Sequence, residues 1–202
     1  MLDYRSVLEE AGERSTDAMI AFLSEELPYL WRDAYVEMTP RPINIVRFRH
    51  GTFEYIYDDY ASLEASSPVP YDPNAEARLV AVIGRSEPRR RARDDYRLKG
   101  WVGPTEKIFG RHWDKGHFIA HSIGGAVDGL EANVFVQRRH LNRGWSAPGR
   151  RFREMEKYCA LNPGTFCFNR PLYVAQIAKP AFVEFGILKS NHELWVECFD
   201  NR

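Results

Sequence analysis

The stretch from Asp114-Lys115-Gly116-His117 to Ser122-Ile123-Gly124-Gly125 constrains this chain more than any other. Its alternation reads as a strand over 117–121, stopped by the glycine pair. Asn133-Val134-Phe135-Val136-Gln137 reads as a second strand. Leu141-Asn142-Arg143-Gly144 then leads into a helix that begins after Asn142 and reaches about Leu161, where Asn162-Pro163-Gly164 stops it. On a strand over 117–121, His117, Ile119 and His121 share one face, and Phe118 and Ala120 take the other.

The rest of the chain must supply what this unit packs on. Residues 3–36 repeat apolar side chains at three- and four-residue spacing, with glutamates between them. Gly12 and Ser15-Thr16-Asp17 divide them into two helices, with Ser15 or Thr16 as cap and Pro28 as a break or kink. Residues 43–49 and 52–57 alternate as a hairpin across His50-Gly51. A Ser/Pro-rich loop follows over 62–76, then a strand over 77–83, an arginine cluster at 89–93 and an irregular stretch over 98–113. The tail alternates as three strands over 172–177, 181–187 and 193–199, the last two joined at Ser190-Asn191-His192.

Net charge is zero but unevenly spread. Residues 1–65 carry 13 Asp/Glu against 6 Arg, a net of −7, so the remainder carries +7. A basic second part suits a polyanion site, although an ordinary solvated surface reads the same way. No apolar run approaches the roughly 20 residues that span a bilayer. The first residues lack a basic region followed by an apolar one, which leads to a cytoplasmic expectation. Cys159, Cys167 and Cys198 have no CxxC spacing and read as reduced thiols.

The residue types near His117 suit one general base beside one hard metal ion. Histidine titrates near neutrality and can take a proton from water. Gly116 leaves room for a phosphate to approach. Asn142 offers a carboxamide oxygen, a ligand suited to Mg²⁺, and Glu156 on the following helix can reach that ion's waters. Other readings stand beside this one. Asn142 serves equally as a helix cap, His121 could join His117 in a metal pair, and His140 reads as exposed. Trp145 reads as core, with base stacking as the alternative.

The order of these blocks resembles the DNA/RNA non-specific endonucleases of the His-Me finger (ββα-metal) class, in their bacterial branch. Those enzymes carry Asp-Arg-Gly-His, then Asn-x-x-x-Gln, then Leu-Asn-x-Gly, then a helix with an aromatic-x-x-hydrophobic-Glu. Here these read Asp114–His117, Asn133–Gln137, Leu141–Gly144 and Phe152-Arg153-Glu154-Met155-Glu156. The match covers about 112–158. The resemblance implies His117 as base, Asn142 as direct Mg²⁺ ligand with Mn²⁺ as a substitute, Glu156 ordering the metal's waters, and Asn133 supporting the site. It also implies an upstream arginine on the phosphate, assigned to Arg85 with the 89–93 cluster as rivals. Lys115 stands where arginine is usual, which keeps charge and loses a bidentate fork. The long interval after Asn142 leaves Glu154 as a substitute for Glu156. Lys115, Arg143, Arg150 and Arg151 are the expected phosphate contacts.

The expected architecture is α+β: a central, mainly antiparallel sheet bearing a ββα-metal element, preceded by a helical and hairpin appendage. The expected division is residues 1–65 and 70–202, the first part being regulatory, an assembly element, or core. The expected activity is Mg²⁺-dependent, sequence-non-specific endonuclease cleavage of DNA, with RNA as a second substrate. The acidic N-terminal region suggests an inhibitor protein or a second copy as partner, with no membrane involved. The alternative is a catalytically inactive nucleic-acid- or partner-binding module on a nuclease scaffold.

Overall fold

A computed structural model of the chain describes residues 2–63, 75–88, 105–126 and 130–202. Six antiparallel strands form the central sheet in the order β1-β2-β3-β6-β7-β8. They are β1 (Ile45–His50), β2 (Phe53–Asp58), β3 (Arg78–Arg85), β6 (Phe166–Leu172), β7 (Phe182–Leu188) and β8 (Leu194–Asp200). Between β3 and β6 the chain forms α3 (Thr105–Phe109), a separate ribbon of β4 (Trp113–His117) and β5 (Val134–Arg138), and the helices α4 (Arg139–Asn142) and α5 (Ala147–Leu161). The arrangement is α+β, as the sequence suggested. No helix among the described residues is long and apolar enough to cross a membrane.

Strand alternation divides the sheet's side chains between two cores. On one face, α1 (Tyr4–Ala11) and α2 (Thr16–Met38) cover Val80, Ala81, Ile83, Phe166 and Phe168. Leu23, Leu27, Trp31 and Tyr35 recur at four-residue spacing, which gives α2 its buried stripe. Ser15 caps α2 as expected, accepting from the Ala18 N–H at 3.4 Å. The helix runs through Pro28 without ending there. On the other face, Val82, Cys167, Val183, Phe185, Ile187 and Phe199 pack against Phe118 just past β4, Phe135 of β5, Leu141 of α4, and Phe152 and Met155 of α5.

Polar side chains join the layers. On the helical face, Tyr4 donates to Glu184 Oε2 at 2.7 Å, Trp31 Nε1 donates to Tyr4 at 3.0 Å, and Arg170 meets the same Glu184 oxygen at 2.9 Å. On the ribbon side, Asn169 Nδ2 of β6 donates to the Phe118 carbonyl. Asn201, just past β8, accepts from the Arg138 N–H at 2.8 Å and donates to the Val136 carbonyl at 2.9 Å. The ribbon's end and its β5 edge are thereby pinned to the sheet.

Several elements differ from the sequence expectation. The strand expected at 117–121 runs instead from Trp113 to His117. The first tail strand lies at Phe166–Leu172 and not at 172–177. Pro171 is tolerated in this strand because the β3–β6 pairing ends at Val82↔Asn169, so it has no ladder partner on that side. The expected boundary in the 62–76 loop lies largely outside the described residues. Within residues 1–65, β2 pairs with β3 along its length and α2 covers one face of the sheet.

Two outcomes follow. Trp31→Ala is expected to cost about 3–5 kcal/mol in urea unfolding, because a fully buried ring leaves a cavity and Tyr4 loses a donor. A chain begun at Ala75 is expected to lose its cooperative thermal transition, since two strands and one whole layer go with the deletion. A soluble fragment with a sharp transition would contradict this packing.

Candidate active site

The β4–β5 register sets the frame: Asp114↔Gln137, Gly116↔Phe135 and His117↔Val134. His117 is the last residue of β4 and is half-buried, with its Nε2 atom shielded from solvent. Asn133 fixes the chain just beyond it. The fully buried Asn133 side chain accepts from the Ile119 N–H at 2.9 Å and donates to the carbonyls of Ile119 at 2.9 Å and Ala126 at 2.8 Å. These bonds take the Ile119 backbone out of any ladder, which is why the strand stops at His117. His117 and His121 therefore do not share a strand face; His121 opens a 3-10 turn, His121–Ile123.

Gly116 is small for a reason other than phosphate access. A Cβ there would lie 2.3 Å from Gln137 Oε1 and 2.6 Å from Gln137 Cβ. The buried Gln137 side chain fills that space.

Asp114 organises the other side of β4. Its carboxylate receives Arg143 Nε at 2.7 Å, Arg143 Nη2 at 3.1 Å, Arg139 Nε at 2.9 Å and Asn142 Nδ2 at 3.3 Å. Burial raises its pKa, but the bonds from Arg143, Arg139 and Asn142 outweigh that and hold it below the ordinary carboxylate value. An ionised carboxylate only accepts, so the Asn142 amide must turn its NH₂ toward Asp114. Its oxygen is left facing away, as the outward acceptor.

Asn142 closes α4 and does not begin α5. The cap of α5 is Ser146, whose Oγ accepts from the Gly149 N–H at 3.0 Å. Gly149 lets the two helices meet closely, since a Cβ there would lie 2.5 Å from the His140 carbonyl. Two turns along α5, Glu156 is 8% exposed. Burial pushes its carboxyl up to about 7, against the opposing pull of Arg153, whose Nη1 lies 3.2 Å away. Glu154 instead is exposed and pairs with Arg151 at 3.2 Å. Of the two carboxylates, Glu156 is the desolvated one.

The remaining expected residues scatter. Lys115 is half-buried on β4, and burial lowers its pKa. Arg143 is committed to Asp114 and also lies over the Trp145 ring at 5.1 Å. Trp145 is 63% exposed and is not core. Arg150 is exposed on α5. Arg151 also meets Glu197 at 3.3 Å and lies over Trp195 at 5.2 Å, toward β8. Arg85 pairs with Asp17 of α2 at 2.8 Å, on the helical face of the sheet, so it is not brought to His117. Its rivals at 89–93 lie outside the described residues. Sequence reasoning missed the ties made by Asn169 and Asn201; only buried polar side chains with distant partners reveal them.

No family model matches the chain, and no curated protein does. Among solved structures, an extracellular endonuclease aligns over 80% of this chain and 79% of its own, at 13% identity and a TM-score of 0.38. A structure of Sda1 nuclease with bound zinc ion aligns over 80% and 74%, at 15% identity and a TM-score of 0.40. These are distant likenesses, and the chemistry below rests on the residues of this chain.

Asp114→Asn is expected to lower stability by about 2 kcal/mol in urea unfolding, because it weakens charge-assisted bonds from two arginines. The buried Glu156 gives a pH signature in chelator. Its folded pKa of about 7 lies above the ordinary 4.5, so the stability it contributes is full below that value and is lost as pH rises through about 7. Glu156→Gln should therefore lose less stability than the wild type between about pH 5 and pH 8, read from denaturant midpoints. Parallel pH profiles would contradict the burial argument.

Proposed function

We propose that the chain is a metal-dependent, sequence-non-specific endonuclease that hydrolyses the phosphodiesters of DNA, with RNA as a second substrate, through a ββα-metal element of the His-Me finger kind. The observation that carries this reading is the bond from Asn142 Nδ2 to Asp114, which turns the Asn142 oxygen outward on the helical side of a two-stranded ribbon ending in His117.

The donor set fits Mg²⁺ or Mn²⁺ better than a fully protein-caged metal. Among the described residues there is no group of three or more His, Cys, Asp or Glu side chains that could hold a metal ion. Mg²⁺ does not need one, since it keeps several of its waters and takes one or two protein oxygens. Asn142 would supply the direct oxygen. Glu156, whose burial raises its carboxyl to about 7 in the bare protein, would ionise fully beside a cation and accept from its waters. When bound, the metal would stabilise negative charge on the phosphate and on the departing oxygen.

The chain's own groups do the rest. His117 takes a proton from the attacking water as its oxygen bonds to phosphorus, and the P–O3′ bond breaks to leave a 5′-phosphate and a 3′ oxyanion that takes a proton from solvent water to become the 3′-hydroxyl. Asn133 holds the backbone beyond His117 and so fixes where the imidazole stands. Lys115 on β4 and Arg150, exposed on α5, are the cations this reading assigns to phosphates; Arg143 acts through Asp114 by keeping the Asn142 amide oriented.

Supercoiled plasmid and total RNA, incubated with Mg²⁺ or with chelator, test the reading. The wild type should nick both only with the metal. His117→Ala should lose about 10²–10⁴-fold in rate and still retain DNA binding. A wild type inert in both Mg²⁺ and Mn²⁺, or a His117→Ala variant with normal turnover, would overturn it.

A further inference from the structure

A pocket of about 310 Å³ opens on the helical face of the sheet, opposite the candidate active site. It lies between the C-terminal end of α2, the start of β3 and the end of β6. Its charged lining residues are both arginines, Arg78 and Arg170, and no described carboxylate lines it. They are 4% and 5% exposed.

The charge around them does not balance. Arg170 is paired with Glu184 at 2.9 Å. Arg78 donates to three neutral oxygens: Tyr35 Oη at 2.7 Å, the Ala175 carbonyl at 2.7 Å and Thr39 Oγ1 at 3.4 Å. Tyr35 in turn donates to Asp58 at 2.6 Å, but the Asp58 carboxylate is paired with Arg41 at 2.7 Å. Among the described residues, two buried arginines thus share one buried aspartate. Tyr35 does not supply the missing anion, because burial pushes its hydroxyl up to about 12. A buried charge without a counter-charge is costly, and an anion in the pocket would offset it.

The rim has the opposite character. Met38 and Val174 line the pocket and stand 66% and 78% exposed, and Ala34, Val80 and Leu172 continue the apolar wall. Both guanidiniums carry more N–H groups than these bonds use. Gln176 lines the same wall with its Oε1 buried and lacking a donor, and turning that amide over would present an NH₂ to an anion.

We infer that this pocket binds a small amphiphilic anion, with a carboxylate or phosphate head against Arg78 and Arg170 and an apolar tail over Met38 and Val174. The site is independent of the phosphodiester chemistry on the other face.

Decanoate, kept below its micelle threshold, is the probe, with acetate as the head alone and decanol as the tail alone. Calorimetric titration of the full chain should give saturable binding of decanoate and a raised thermal midpoint. Acetate and decanol at equal concentration should give neither. Val174→Asp places a negative charge on the exposed rim, where folding is not at stake, and should weaken decanoate at least tenfold. Arg78→Gln should abolish binding where it folds; the rim variant carries the test where it does not. Vesicles of anionic phosphatidylglycerol separate a membrane surface from a free ligand, and the chain should not cosediment with them. Absent binding of decanoate, equal binding of decanol, unchanged affinity in Val174→Asp, or capture by vesicles without decanoate binding would each overturn the proposal.

Discussion

The nearly buried carboxylate of Asp114 is the interaction on which the candidate site depends. One side chain on β4 receives Arg139 and Asn142 from α4 and Arg143 from the residue that follows it. A carboxylate taken out of water is tolerated only when its lone pairs are filled, and here they are. Because this acceptor has no hydrogen to give, it also decides which way the Asn142 amide points. Strand, helix and the orientation of a prospective metal ligand are thus settled by one charge. The same network explains why Arg143, basic and adjacent to the site, serves the frame.

That frame is held from behind by asparagines. Asn133 closes the chain after His117, Asn169 reaches the Phe118 carbonyl from β6, and Asn201 reaches the β5 edge from the end of β8. Each is fully buried and bonded to backbone groups that no sheet ladder would otherwise satisfy. The ribbon is therefore tied to the six-stranded sheet beneath it by side chain as well as by packing. That sheet in turn needs its other face covered, which α1 and α2 do through Leu23, Leu27 and Trp31. The site lies on one face, but it depends on both.

Local patterns made part of this legible. Four-residue spacing gave both N-terminal helices, alternation gave the β1–β2 hairpin, and the blocks from Asp114 to Glu156 gave the order ribbon, then helix. The misreadings came where a distant partner decides. Alternation over 117–121 looked like a strand, but Asn133 captures the Ile119 backbone and ends it. The first tail strand was expected at 172–177, yet it is β6 at Phe166–Leu172, where Asn169 serves the ribbon and Arg170 serves Glu184. Gly116 looked like room for a phosphate and is room for Gln137. Arg85 ends β3 but faces α2, a matter of one residue of alternation. Burial of Glu156 over Glu154 was open in the sequence, since both sit on one helix and only packing separates them.

The central claim is that the base and the metal ligand sit on separate elements, with His117 on the strand and Asn142 on the helix that Asp114 holds in place. Mn²⁺ binding followed by electron paramagnetic resonance tests it directly, because the readout does not depend on turnover. The account predicts that the wild type and His117→Ala bind Mn²⁺ alike, while Asn142→Ala binds it at least tenfold more weakly with its circular dichroism unchanged. Equal Mn²⁺ affinity in Asn142→Ala, or loss of the metal in His117→Ala alone, would contradict it.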